Sequence, residues 1–274
     1  KKKYKVLLSD LDRNLEKKIK SFKPSIVFNA LHGRFGEDGY AQSILESYKV
    51  KYTHSGVLSS ALAMDKVASK KIFKENKILT PRFIKFNYQQ NMHRGLKNII
   101  KKKLKFPVVI KPINEGSSVG VYITSEKNFI KKLSKLKKYQ EVMIEEYIAG
   151  REIQVAILGK KKLGAIELRP KRKFYDYKAK YDVKSKTEHI IPVKLQKKKI
   201  NKVLNIAFKA HKILNCRGVT RADFKFYRNK FYLLEINTQP GMTKLSLVPE
   251  IAAYKGITFL NLIEWILNDA STNR

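Results

Sequence analysis

Short apolar runs separated by lysine-rich stretches open the chain. Residues 4–9 and 25–29 read as apolar strands, and the segment between them carries Leu and Ile at helical spacing among lysines. Strand, helix, strand predicts a parallel α/β unit. A helix is expected over residues 39–48, a short strand over 50–53, and one long helix from Ser59 or Ser60 to about residue 76. Two β-branched runs, 107–112 and 119–123, flank a Gly/Ser turn. They are followed by a helix with Phe129, Leu133 and Leu136 on one face, and by a strand at 141–148. Segments 151–158 and 163–168 predict a hairpin around Gly159. Residues 169–189 show no period and are expected to form a long loop. A helix near 198–214, two strands and a last helix near 259–268 complete the pattern.

The segment from Val219 to Asn237 carries the strongest chemical signal. With a three-residue turn at Arg228-Asn229-Lys230, Asp223 falls opposite Glu235, and Arg221 opposite Asn237. Alternation then places these four on one face, and Ala222, Phe224, Leu234 and Ile236 on the other. A one-residue slip would break both groupings. Two carboxylates and an amide oxygen on one patch suit a hard cation such as Mg²⁺, whose remaining ligands come from phosphates. A neighbouring Arg suits developing negative charge.

A second signal is Lys111, at a strand end before the turn Asn114-Glu-Gly-Ser-Ser118, where backbone N–H groups and an ammonium can meet phosphate. It is not a P-loop, because no Gly-Lys-Ser/Thr opens a helix. His32 stands in a glycine-rich loop, 30–39, at the end of the second strand, a favoured place for ligands in α/β sheets. Ser117 and Ser246 have no neighbouring base, so hydrogen-bonding roles suit them better than nucleophilic ones.

The formal charge of +36 comes from lysines spread along the whole chain. A nucleic-acid arm would be localised, so we read the charge as compositional drift that also favours anionic ligands such as a nucleoside triphosphate. No nucleic-acid partner is expected. With one cysteine, Cys216, no intrachain disulfide can form. No apolar run reaches the roughly 20 residues of a membrane span, so a cytoplasmic protein without a membrane partner is expected.

Taken in order, several motifs resemble the D-alanine–D-alanine ligase family of ATP-grasp enzymes across most of the chain. They are Leu31-His-Gly-Arg-Phe-Gly-Glu-Asp-Gly39, Ser55-Gly-Val57 with Met64-Asp-Lys66, and Lys111-Pro-Ile-Asn-Glu-Gly-Ser-Ser-Val-Gly120. Further along come Phe174-Tyr-Asp-Tyr-Lys-Ala-Lys-Tyr181, Leu234-Glu-Ile-Asn-Thr-Gln-Pro-Gly-Met-Thr243 and Ser246-Leu-Val-Pro249. The resemblance implies an α/β ATP-grasp fold with a Rossmann-like N-terminal unit over residues 1–60, a small lobe over 61–149 and a large lobe over 150–274. It implies ATP and two Mg²⁺ or Mn²⁺ ions held by Asp223, Glu235 and Asn237, with Arg221 steadying the tetrahedral intermediate. Lys66, Lys111 and Lys180 would meet phosphates, Glu145 and Ile148 the adenine, and Glu152 the ribose. His32, Gly241, Ser246 and Leu247 would bind two molecules of D-alanine, and a homodimer is compatible with it. Ser117 and Tyr181 would close the loop 174–181 over the site. Tyr181 points to an amine acceptor, because depsipeptide-forming relatives tend to carry Phe there.

Two departures stand out. The family's first strand, with the glutamate that meets the first D-alanine, has no counterpart here, which predicts an exposed sheet edge and weak ligation. Glu146 replaces a lysine common at the adenine hinge.

Overall fold

The computed structural model describes residues 4–89, 95–170, 187–243 and 245–272. Near the start, α1 (Leu15–Phe22) and α2 (Tyr40–Ser47) pack around a parallel pair, β1 (Ile26–Val27) and β2 (Lys51–Tyr52). Ile19, Leu45 and Tyr52 form its small core. Residues 4–9 are not the strand their pattern predicts. Among the described residues no strand pairs with them, and Val6 and Leu8 stay exposed, because an apolar run becomes a strand only where a partner takes up its N–H and C=O groups.

The expected long helix after residue 59 is two. α3 (Val57–Met64) stops at Asp65, whose carboxylate then caps α4 (Lys66–Glu75) by accepting from Val67 N and Ala68 N at 2.9 and 2.8 Å. Asp65 itself is extended, so the axis breaks there and Lys66 begins a new helix.

A four-stranded antiparallel sheet follows, in the order β3 (Phe83–Asn87), β6 (Glu141–Glu146), β4 (Val108–Pro112), β5 (Tyr122–Thr124). α5 (Leu96–Lys103) and α6 (Phe129–Ser134) cover one face, burying Phe86, Ile100, Phe129 and Leu133. The chain then enters a five-stranded antiparallel sheet, in the order β11 (Lys230–Asn237), β10 (Val219–Tyr227), β7 (Arg151–Leu158), β8 (Lys161–Arg169), β9 (Glu188–Ile190). β9 falls inside the loop expected over 169–189. Its polar Glu-His-Ile carries no alternation, and its pairing with β8 alone defines it.

Alternation along β7 and β10 gives the large sheet apolar residues on both faces. Ile153, Val155 and Ile157 of β7 and Ala222 and Phe224 of β10 face α7 (Lys197–Ile213), in a core that also takes in Ala63, Phe73 and Ile78. The helix pair α3–α4 therefore packs on the large sheet. The opposite face carries Ala156, Leu158 and Val219 under α8 (Leu247–Tyr254) and α9 (Phe259–Asn268). On that same face, farther along, stand Gln154, Glu152, Arg221, Asp223 and Lys225. One sheet face thus changes from apolar and covered to charged where the helices stop.

Arg217 joins distant parts of the chain. Its guanidinium donates to Tyr52 O and Ser271 O, both at 3.0 Å, and to Ser271 Oγ at 2.9 Å. Tyr52 and Ser271 also form an isolated antiparallel bridge. Among the described residues no helix is long and apolar enough to cross a membrane.

Candidate active site

The hairpin β10–β11 delivers the expected register by an unexpected route. Arg221 pairs with Asn237, and Asp223 with Glu235. The turn, however, has two residues, Arg228 and Asn229, both at positive φ, and Tyr227 pairs with Lys230. A bulge between Asp223 and Phe224 restores the offset. Because of that bulge Leu233, not Leu234, faces the core.

Asp223 is held by Arg221 through two hydrogen bonds of 2.8 and 2.9 Å. Glu235 lies 4.0 Å from the Lys66 ammonium, which also donates to the carbonyl of Glu115. Asn237 Oδ1 accepts from Gln239 N at 2.7 Å. Lys66, Arg221, Glu235 and Asn237 line a cavity of about 280 Å³ shared with His32, Ser117, Gly241 and Ser246, and Asp223 is buried beside it, paired with Glu235 across the ladder. The oxygen set fits a hard cation as part of a shell. Among the described residues no group of three His, Cys, Asp or Glu gathers, so phosphate or water oxygens would complete it.

Lys111, on β4, reaches the same region from the small sheet. It pairs with Glu145 at 2.6 Å, and Glu145 pairs in turn with Lys70 at 3.0 Å. All three are buried. Burial opposes the Lys111 charge, but Glu145, Glu235 and Asp223 outweigh it and hold its pKa above the ordinary lysine value. Burial would likewise raise the Glu145 pKa, yet Lys111 and Lys70 together pull it below the usual carboxylate range. Burial brings Lys70 down to about 8 despite Glu145. Lys66 is lowered too, by burial, against the pull of Glu235.

Glu145 is therefore turned toward two ammonium groups inside the small sheet. Ile148 is buried just beyond β6, and Glu152 meets Lys225 at 2.9 Å on the charged face of the large sheet. Ser117 sits at φ +49 in the turn after β4, followed by Ser118 at φ +60. Ser246 precedes α8, with its Oγ accepting from Thr243 N at 2.9 Å, and Leu247 opens that helix, where backbone N–H groups lack helical partners. Gly241 lies against both: a Cβ there would stand 2.8 Å from Ser246 Oγ and 3.7 Å from the His32 ring. His32 Nδ1 is 3.5 Å from Glu37. Lys180 and Tyr181, with the loop 174–181, lie outside the described residues.

The chain matches the family described as "D-ala D-ala ligase C-terminus" over residues 72–268. It is 65 % identical to the D-alanine–D-alanine ligase of Pelagibacter ubique, over 99 % of this chain and 89 % of that one. The chain belongs to the D-alanine–D-alanine ligase family. Among solved structures, the D-alanine–D-alanine ligase of Bacillus anthracis is similar at 34 % identity and a TM-score of 0.86, covering 97 % of this chain and 86 % of that one. The same Bacillus anthracis enzyme complexed with ATP is similar at 30 % identity and a TM-score of 0.81, covering 94 % and 83 %. The fold is accordingly the ATP-grasp fold of D-alanine–D-alanine ligases.

Three further residues of this region carry no signal in the sequence reading. Lys70 follows Lys66 by one helical turn, and a lysine on the buried face of α4 is the signal that could have marked it. Gln154 pairs across the ladder with Asp223, so only the sheet register reveals it. Glu37 reads as part of a loop until the turn at Gly116 comes close: a Cβ on that glycine would stand 3.1 Å from Glu37 Oε2.

Proposed function

We propose that this chain joins two molecules of D-alanine into D-alanyl-D-alanine at the expense of ATP, for peptidoglycan precursor synthesis. The carrying observation is the convergence of Arg221, Glu235, Asn237 and Lys66 on one cavity, with Asp223 paired to Glu235 and Lys111 within reach of both carboxylates' charge, in a chain so similar to named ligases of this kind.

The first carboxylate attacks the γ-phosphorus of ATP, ADP leaves, and an acyl phosphate forms. The second amine then attacks the acyl carbon and phosphate departs. Lys66 and Lys111 spread the charge of the transferring phosphoryl group, and Lys180 would add a third ammonium. Arg221 offers N–H donors to the oxyanion of the tetrahedral intermediate. Ser246 Oγ and the Leu247 amide, at the start of α8, hold a carboxylate, with Gly241 leaving room for it. His32 faces the same carboxylate pocket. Ser117 with Tyr181 would fix the covering loop and keep water from the acyl phosphate.

Asp223, Glu235 and Asn237 would hold Mg²⁺ or Mn²⁺, two ions in all, which when bound would neutralise phosphate charge. The adenine would lie beside Glu145 and the backbone of Ile148, and the ribose beside Glu152. A cytoplasmic homodimer completes the reading, and sedimentation gives its mass.

The test is release of ADP and phosphate that requires both D-alanine and a divalent cation, with the dipeptide identified by mass spectrometry. Phosphate release that ignores D-alanine, or a product other than the dipeptide, overturns the assignment.

A further inference from the structure

Gln239 sits two residues beyond the end of the charged hairpin and is buried. Its backbone N–H fixes the Asn237 amide oxygen at 2.7 Å. Its side chain points the other way. Gln239 Nε2 donates to Asn29 Oδ1 at 3.1 Å and to the carbonyl of Leu31. Asn29, also buried, is the node of the loop that carries His32. Its N–H donates to Thr53 Oγ1 at 3.0 Å, its Oδ1 accepts from Leu31 N at 3.2 Å, and its Nδ2 donates to Gly36 O at 3.1 Å. Gln42 Nε2 donates to the same Gly36 carbonyl at 2.9 Å.

We propose that the Asn29–Gln239 pair is a positioning device that sets the spacing between the His32 loop and the segment carrying Asn237, Gly241 and Ser246. Neither side chain is among the groups that line the cavity. Both act through residues that do, and they join the N-terminal α/β unit to the end of β11 by buried amide hydrogen bonds. The consequence for the reaction rests on the functional reading above. A ligase must hold two amino acids at attack distance, and small displacements of either pocket weaken that arrangement steeply. The pair would therefore act on D-alanine and leave adenine binding, at Glu145 and the backbone of Ile148, little affected.

The experiment combines steady-state kinetics with hydrogen exchange on the full chain. Gln239→Leu keeps the volume but removes both side-chain donors, leaving the part-buried Leu31 carbonyl without that donor. It should raise KM for D-alanine about 10-fold or more while KM for ATP stays within about 2-fold. Asn29→Leu should do the same, and the double variant should be little worse than either single one, as expected of coupled residues. Exchange of the backbone amides over residues 30–39 should accelerate about 10-fold in Gln239→Leu, with residues 153–158 unchanged.

A fall in kcat alone with KM for D-alanine unchanged, or additive effects of the two Leu variants, overturns the proposal. So does unaltered exchange over 30–39. A parent chain that turns over ATP without D-alanine overturns the functional reading instead, and the exchange measurement then decides the positioning proposal by itself.

Discussion

Single charges in this cleft act through their neighbours. Glu235 faces Lys66 at 4.0 Å and Asp223 across the ladder. Glu235→Gln keeps shape and hydrogen bonding but removes the charge that a cation and Lys66 both meet, so turnover should fall at least about 100-fold with the melting temperature nearly unchanged. Near-normal rates at saturating Mg²⁺ would remove Glu235 from the metal assignment. Lys70 behaves differently, because it is fully buried between Glu145 and Thr80, whose Oγ1 accepts from its ammonium at 2.7 Å. Lys70→Met strips one cation from a buried pair. It should destabilise the fold by roughly 3 kcal/mol or more, about 5–10 °C in melting temperature. A calorimetric scan checks this, and an unchanged melting temperature would mean that Lys111 alone suffices for Glu145. The grouping of Arg221, Asp223, Glu235 and Asn237 on one face was legible because each strand carries its pair at spacing two and the hairpin register sets the pairs opposite each other. Lys70 was not, because in a chain this rich in lysine one more on a helix carries no contrast.

Elements show where pattern reading succeeds and where it cannot. The hairpin register at Asp223 came out right although the turn did not. The shorter turn and the bulge each shift the ladder by one residue, and the shifts cancel before the site. Leu234 exposes the compensation, since the core takes Leu233 instead. Residues 4–9 and β9 fail for opposite versions of one reason. Strand formation depends on a partner, and the local sequence does not contain the partner. The link from β6 to β7 offers a test at this scale. Gly150 has φ +121, and a Cβ there would stand 2.4 Å from the Phe226 carbonyl oxygen. Gly150→Ala must therefore shift the backbone between the two sheets, a cost of at least about 2 kcal/mol. Its melting temperature should drop by several degrees, and ATP affinity should weaken with it, since Ile148 and Glu152 flank this link. A variant that melts like the parent would show that the link yields without strain.

At the scale of the whole molecule, two buried histidines make the fold sensitive to mild acid. Burial, helped by the nearby Arg217 charge, holds His54 down to about 3, and burial holds His211 down to about 4. Both sit below the ordinary value, so the native state keeps them neutral while the unfolded chain takes up protons. Their contribution is complete above about pH 6.5 and is lost as pH falls toward the folded values. Between pH 6.5 and 5 each should cost about 2 kcal/mol of stability. Thermal melts across that range should show the decline, and His211→Gln should make it shallower; an equal slope in the variant would place the acid sensitivity elsewhere. The fold class and most helices were legible in the alternation of apolar residues, but the meeting of the sheets was not, since it rests on contacts far apart in the chain. Arg217 is the extreme case. It grips Tyr52, Ser271 and their shared bridge at once. During synthesis the Tyr52 carbonyl waits for a partner made roughly 220 residues later, on the order of 10–40 s at ordinary elongation rates. A segment made well before its partners is thus among the last to be locked, and its half-made form, with an open β2 edge, is the one that chaperones would meet.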